Sequence, residues 1–293
     1  MLLTIHGRIF KDEYTSHIKD LFIYLSKIEC SLVIQSDYYN FLVKKNILTE
    51  GAYKKYTDKL DYPSGANFHL SLGGDGTLLE SVTHICEKQT PMLGINVGRL
   101  GYLAPVSPKD IIHALNELFS GNYTLEKRTL IHIDSDKDIF SGLNFGLNEL
   151  AILKRDTSSM IIVHTYLNNE FLNSYWADGL LISTPTGSTG YSLSCGGPVL
   201  MPQSNSFIIT PVSPHNLNVR PMIVSDDVEL SFDVEIRAKK FLVALDARSV
   251  AVGNKTKLTA KKEKFNAVLV NLNSVKYLNT LRSKLNWGLD IRN

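Results

Sequence analysis

Apolar and polar positions along this chain follow two textures, and the change falls near residue 123. Before it, short apolar runs alternate with helical stripes. Residues 2–5 read as a strand ending at Gly7. Ile18, Leu21, Phe22 and Leu25 mark one helical face within 14–28. A second strand is expected at 32–34 and a helix at 38–43. Residues 44–66 are charged, tyrosine-rich and weakly patterned, and are expected to hold a helix and a loop. Phe68, Leu70 and Leu72 alternate into Gly73, a helix runs from Thr77 to about Glu87, and Met92–Asn96 is a strand. The best-signalled helix spans 107–119: Ser107 caps it, Pro108 sits in its first turn and Gly121 follows it. Strands alternating with helices imply a doubly wound, Rossmann-like α/β domain with a mostly parallel sheet.

After residue 123 the apolar runs become short and rich in Val, Ile, Tyr and Phe. They fall at 130–133, 149–153, 160–167, 170–176, 180–183, 207–212, 228–232, 241–245, 257–260 and 267–272. Asn168-Asn169 between two of them is a hairpin signal. An all-β, antiparallel, β-sandwich-like domain is expected. Val275, Leu278, Leu281 and Leu285 then line one face of a closing helix, expected to pack back on the N-terminal domain. The division expected from pattern alone is 1–123, 124–272 and 273–293.

Composition narrows the class of function. With 293 residues and a net charge of +2, the chain has the balance of a globular protein and no extended nucleic-acid surface is expected. Its three cysteines, Cys30, Cys86 and Cys195, are scattered and form no CxxC pair, which argues against a disulfide framework or a zinc site and fits a reducing cytoplasm. The N-terminus is too short and too soon broken for a signal peptide. No apolar run approaches the length that spans a bilayer, so no membrane partner is expected.

Two segments carry candidate chemistry. In the first, the strand ending at Gly73-Gly74 meets Asp75, Gly76 and Thr77 and turns into a helix. Adjacent glycines let a backbone approach a ligand closely and adopt dihedrals closed to other residues. Successive N–H groups leading into a helix N-terminus attract phosphate. A carboxylate in such a cradle is costly unless it takes a proton from an attacking hydroxyl or holds a metal. An ordinary tight turn is the bland alternative. The second segment, 178–198, runs from a strand into Thr184-Pro185-Thr186-Gly187-Ser188-Thr189-Gly190-Tyr191. Small hydroxyl residues and glycines with one aromatic ring suit a ligand bearing ribose hydroxyls and phosphates. Asn148-Glu149 and Pro214-His215 are unspecific taken alone.

In order and spacing, these motifs closely resemble the NAD kinase family: Gly73-Gly74-Asp75-Gly76-Thr77, Gly94-Ile95-Asn96 with Gly98-Arg99-Leu100-Gly101, Asn148-Glu149, Asp178-Gly179, 184–194 with Gly196-Gly197-Pro198, and Pro214-His215 with Arg220-Pro221. The chain departs from the commonest pattern at Val97, Trp176 and Gly190. The resemblance implies transfer of the ATP γ-phosphoryl group to the adenosine ribose 2′-hydroxyl of NAD, giving NADP. It implies Asp75 as general base, and Gly73, Gly74, Gly76 and Thr77 around the donor phosphates. It places Asp75, Gly76, Asn148, Glu149, Asp178, Thr189, Gly190, Tyr191, Ser192, Leu193, Ser194, Ser213 and Arg248 around NAD. Mg2+ or another divalent cation is expected to arrive with ATP, without a dedicated protein cage. A cytoplasmic homodimer or homotetramer is expected. Diacylglycerol, sphingosine and phosphofructokinase-like kinases share the glycine–aspartate loop but leave 184–198 unexplained. A non-catalytic dinucleotide sensor would have no use for Asp75.

Overall fold

The alternating first part folds around a seven-stranded sheet with the order Lys54–Tyr56, Ser31–Gln35, Leu2–Gly7, Phe68–Gly73, Met92–Asn96, Ala267–Leu272 and Tyr123–Arg128. The pairings from Lys54–Tyr56 through Ala267–Leu272 are parallel. The chain starts in the middle, builds outward to one side, and then reverses at the junction of Leu2–Gly7 and Phe68–Gly73. This computed structural model describes residues 1–98, 101–155 and 160–288.

The two faces of that sheet differ in character because strand side chains alternate. Leu3, Ile5, Leu70 and Leu72 join the apolar core with Ile18, Leu21, Phe22 and Leu25 of the helix Thr15–Ser26 and with Leu115 and Leu118 of the helix Ile111–Phe119. The intervening residues Thr4, His6, His69 and Ser71 are buried as well, but polar. They bond to one another and to the helix Asp75–Ile85: Thr4 Oγ1 lies 2.9 Å from His69 Nδ1, Ser81 Oγ donates to Ser71 Oγ at 3.4 Å, and His6 Nε2 lies 2.9 Å from Glu80 Oε2.

The second part forms two six-stranded antiparallel sheets, ordered Glu170–Ala177, Ile161–Leu167, Leu230–Glu235, Leu258–Lys262, Ile131–Ser135, Phe145–Gly146 and Met222–Ser225, Ser206–Val212, Gly179–Ser183, Glu149–Leu153, Lys240–Leu245, Arg248–Gly253. Val163, Phe232 and Leu258 from one sheet meet Ile152, Leu180, Ile209 and Val243 from the other in a single apolar cluster, which makes a sandwich. Asn168 and Asn169 turn the expected hairpin with φ of 50° and 68°, the positive dihedrals that a two-residue turn of this hand requires.

Several expectations shift. The chain divides into Met1–Lys127 with the segment beginning at Ala267, and Arg128–Asn266. Residues 124–127 and 267–272 therefore leave the expected β segment, because Tyr123–Arg128 and Ala267–Leu272 extend the seven-stranded sheet. A short run of Val and Leu reads alike in a sandwich and in a parallel sheet, since both bury it. The weakly patterned segment 44–66 holds a short edge strand, Lys54–Tyr56, where a helix was expected. Ser107 donates its hydroxyl to Asp110 Oδ2 at 2.6 Å instead of capping a backbone N–H, and a 3-10 turn, Pro108–Asp110, precedes the α-helix. The closing helix Tyr277–Leu285 belongs to the first unit and buries Leu281, whereas Leu278 is 54% exposed. Among the described residues, no helix is long and apolar enough to cross a membrane.

Candidate active site

In the first unit the strand Phe68–Gly73 ends beside Asn96, and Gly74 precedes the first residue of the helix Asp75–Ile85. None of Gly73, Gly74 and Gly76 has a positive φ, so the expectation that this loop needs glycine for its dihedrals is corrected. At Gly73 space is the reason instead. A Cβ at Gly73 would lie 2.0 Å from Thr77 Oγ1. A Cβ at Gly74 or Gly76 would meet nothing within 4 Å, so the backbone there borders open space next to a helix N-terminus. That arrangement can hold an anion through main-chain N–H groups.

Asp75 does not project freely from this loop. Its Oδ1 accepts from the N–H groups of Leu103 at 2.8 Å and Ala104 at 3.1 Å, and its Oδ2 accepts from Tyr102 N–H at 2.8 Å. A carboxylate offers about four acceptor positions. Among the described residues three are taken, which leaves one on Oδ2 able to receive a hydroxyl. Gly101 makes room for this grip, since a Cβ there would sit 1.8 Å from Asp75 Oδ1. Gly94 makes room for the same loop, its Cβ position being 2.5 Å from Leu103 O. Arg99 and Leu100, part of the second glycine motif, lie outside the described residues.

The second unit repeats the device. Asp246, at φ 52°, accepts from the N–H groups of Leu147 at 2.8 Å, Asn148 at 2.7 Å and Glu149 at 3.2 Å. Strand register sets Glu149 opposite Ser183, from which the chain enters 184–194 directly. Asn148 O accepts from Thr184 N–H at 2.9 Å, and Gly187 packs so close that a Cβ would lie 2.1 Å from that oxygen. Glu149 Oε2 is enclosed and has no hydrogen-bond partner among the described residues. Desolvation, and then the charge of Asp246, push its carboxyl up to about 8. The position of a Cβ on Gly190 is 3.4 Å from Glu149 Oε2 and 3.7 Å from Asn148 Nδ2, so these three residues converge.

Asp178 stands at the other end of the strand Gly179–Ser183, with Lys154 Nζ 2.6 Å from its Oδ1. Ser213 adjoins it, because Asp178 N–H donates to Val212 O at 2.9 Å, and Ser213 itself is exposed with φ 46°. Tyr191 is 41% exposed; desolvation raises its hydroxyl pKa first, and the charges of Cys195, Asp178 and Glu149 raise it further. It therefore lies within electrostatic reach of both ends of the strand. Thr189 and Leu193 are half-buried and Ser194 is exposed. Ser192 is buried, its Oγ 2.8 Å from Thr210 Oγ1, which makes its side chain structural. Arg248 is also engaged within its own unit: it donates to Leu143 O at 2.6 Å and to Phe145 O, and lies over the rings of Phe140 and Phe145.

Sequence reasoning missed three parts of this arrangement: the 102–104 amides on Asp75, Lys154 on Asp178, and Asp246 as the clamp on 147–149. Only Gly101 signalled any of them. Among the described residues, no group of three or more His, Cys, Asp or Glu could hold a metal ion.

Comparison with known proteins gives the same picture over the whole chain. A family model described as ATP-NAD kinase N-terminal domain matches residues 29–123, and one described as ATP-NAD kinase C-terminal domain matches 147–270. A protein named NAD kinase from Cytophaga hutchinsonii is 52% identical over 293 residues, covering 100% of both chains. Another from Flavobacterium johnsoniae is 42% identical over 295 residues, again covering 100% of both. Two solved structures share the fold. A yeast NADH kinase complexed with NADH superposes with a TM-score of 0.85 at 19% identity, covering 100% of this chain and 89% of that one. An NAD kinase from Archaeoglobus fulgidus in complex with ATP gives 0.72 at 24% identity, covering 98% and 99%. Matched by both domain models and by full-length relatives, this chain belongs to the ATP-NAD kinase family.

Proposed function

We propose that this chain transfers the γ-phosphoryl group of ATP to the 2′-hydroxyl of the adenosine ribose of NAD, giving NADP and ADP. The observation that carries the reading is the geometry of Asp75: a carboxylate oriented by main-chain donors, with one acceptor position on Oδ2 left open among the described residues. A ribose hydroxyl is a poor nucleophile near neutral pH, and phosphoryl transfer depends on positioning and charge neutralisation. Asp75 Oδ2 accepts the hydroxyl proton as the ribose oxygen bonds to the γ-phosphorus. The bond from that phosphorus to the bridging oxygen breaks, and ADP leaves.

The backbone of Gly73, Gly74, Gly76 and Thr77 supplies the donor-phosphate cradle in this reading. Asn148 and Glu149 read the adenosine half of NAD, supported by the enclosed, unpartnered Glu149 Oε2. Asp178, Thr189, Gly190, Tyr191, Leu193, Ser194 and Ser213 line the rest of the dinucleotide site. Ser192 supports that site from beneath, and Arg248 braces the turn that carries Asp246. The units Met1–Lys127 and Arg128–Asn266 take the donor and dinucleotide roles respectively. The divalent cation enters as part of the MgATP substrate. A cytoplasmic homodimer or homotetramer completes the proposal.

The test is incubation of the purified protein with NAD, ATP and Mg2+, with NADP read out by an NADP-specific dehydrogenase. ATP-dependent NADP formation is expected. Tight NAD binding without turnover would replace this reading by the sensor, and turnover only with a lipid or sugar alcohol would replace it by another kinase. Parallel reactions with NADH and with polyphosphate define acceptor and donor preference.

A further inference from the structure

The run 184–194 has little order of its own. Threonine, serine and glycine carry little apolar surface, and stretches of this composition are flexible unless something holds them. Yet residues 183–188 are buried without a break. A buried polar run keeps one shape only where its polar groups are bonded. Part of this is done by near neighbours. Thr184 Oγ1 donates to Leu147 O at 2.5 Å and accepts from Gly187 N–H at 3.2 Å. Ser188 Oγ donates to Pro185 O at 2.7 Å and accepts from Leu200 N–H at 3.0 Å.

One bond comes from elsewhere. Arg128 closes the strand Tyr123–Arg128, at the edge of the seven-stranded sheet, and is the first residue of the second unit. It is 5% exposed, and its Nη1 donates to Thr186 Oγ1 at 3.3 Å across 58 positions of sequence. Thr186 is 7% exposed, so the bond is buried at both ends. A guanidinium stays charged, which makes the bond charge-assisted; removing the hydroxyl takes an acceptor from an enclosed cation. Thr186 opens the turn Thr186–Thr189, which leads into Gly190 and the short helix Tyr191–Ser194. Clearances along that path are small. A Cβ on Gly187 would lie 2.1 Å from Asn148 O, and one on Gly190 would lie 3.4 Å from Glu149 Oε2. A displaced turn would move both approaches together.

We infer that Arg128 is a positioning residue for the dinucleotide. It fixes the turn Thr186–Thr189 through the Thr186 hydroxyl, and so sets where Gly190 and Tyr191 stand against Asn148 and Glu149. It acts through Thr186 and not on a substrate. The inference rests on reading 184–194 as part of the dinucleotide site.

A double-mutant cycle tests it. Thr186→Val keeps the side-chain shape and removes the acceptor, Arg128→Met removes the charged donor, and a third variant carries both. Calorimetry reads the dissociation constants of NAD and of MgATP. Each single variant is expected to weaken NAD by about tenfold, the size of a charge-assisted hydrogen bond, and MgATP by less than about twofold. The double variant is expected to bind NAD no worse than the weaker single one, because one bond is lost only once. In turnover, the KM for NAD should rise by a larger factor than kcat falls. Deuterium uptake in Thr186→Val should rise over 184–194 and not over the strand Leu230–Glu235. Where Arg128→Met fails to fold, Thr186→Val decides by its separation of NAD from MgATP. Additive losses in the cycle, an equal loss for both nucleotides, or unaltered NAD affinity in Thr186→Val would make the bond a brace of the fold alone and overturn the inference. Binding is read without catalysis, so a protein whose NAD affinity depends on this bond yet makes no NADP would sink the kinase reading and leave the role of Arg128 in place. A parent that binds no NAD would end both.

Discussion

Acidification is expected to loosen the first unit through His84. That ring is 9% exposed, its centroid is 4.9 Å from that of His6, and its Nδ1 lies 3.4 Å from Tyr56 Oη. Desolvation, followed by the charge of His6, lowers its pKa from 6.5 to about 4; Arg8 acts in the same direction, while Glu80 and Asp58 oppose it. The folded pKa lies below the unfolded one, so the unfolded chain binds the extra proton. The contribution is therefore complete above about pH 6.5 and fades as pH falls toward about 4. A pKa of about 4 against 6.5 corresponds to about 2 kcal/mol lost at pH 5 and about 3 kcal/mol at pH 4. His69, lowered first by its own burial and then by the charges of His6 and His84, adds to the loss. In the second unit the sign is opposite. The bond to Glu263 raises the pKa of His132, whose contribution is complete below about 6.5 and fades as pH rises. Hydrogen exchange read by mass spectrometry separates the two units. Between pH 7.5 and 5, the opening free energy of Phe68–Gly73 should fall by about 2 kcal/mol more in the parent than in His84→Gln, with no such excess in Ile131–Ser135. Parallel profiles for parent and variant over that range would refute the reasoning.

Three further outcomes are expected. Asp75→Asn keeps the side-chain shape, removes its basicity and sets an amide NH2 against one of the main-chain donors, and should cut kcat by about 10² to 10⁴ while NAD affinity, read by calorimetry, changes far less; an unaltered kcat would remove Asp75 from proton transfer. Gly101→Ala puts a methyl group 1.8 Å from Asp75 Oδ1, so it should lower kcat with the KM for NAD nearly unmoved, and full activity would show that the amide grip is dispensable. If sugar hydroxyls donate to Glu149, binding selects its ionised form, and NAD affinity should rise as pH passes through about 8 in the parent but not in Glu149→Gln; a flat parent profile would reject that contact.

Much of the site was legible because local chemistry announces it. A glycine pair at the end of an apolar strand, followed by an acid and a helix, could be read at 73–77, and so could the small-residue run at 184–194. What those glycines do was not legible. The expected positive dihedrals are absent at 73, 74 and 76; a neighbouring Thr77 constrains Gly73, and Gly74 and Gly76 border open space. The partners of the key carboxylates were also invisible. Tyr102–Ala104 lie about thirty positions from Asp75, and Asp246 about a hundred from Leu147–Glu149, and the donors in both grips are main-chain N–H groups, which every residue but proline possesses.

By itself the sequence determined the two textures of the chain, and with them a helix-bearing parallel sheet and an antiparallel sandwich, because burial periodicity is a property of consecutive side chains. It also determined which short segments could touch phosphate or sugar. Only the tertiary structure decided that Ala267–Leu272 returns to the first sheet and that the face beneath the Asp75 helix carries buried histidines. Each of these depends on which distant strand lies alongside which. That choice is made by the packing of whole faces, and no window of neighbouring residues encodes it.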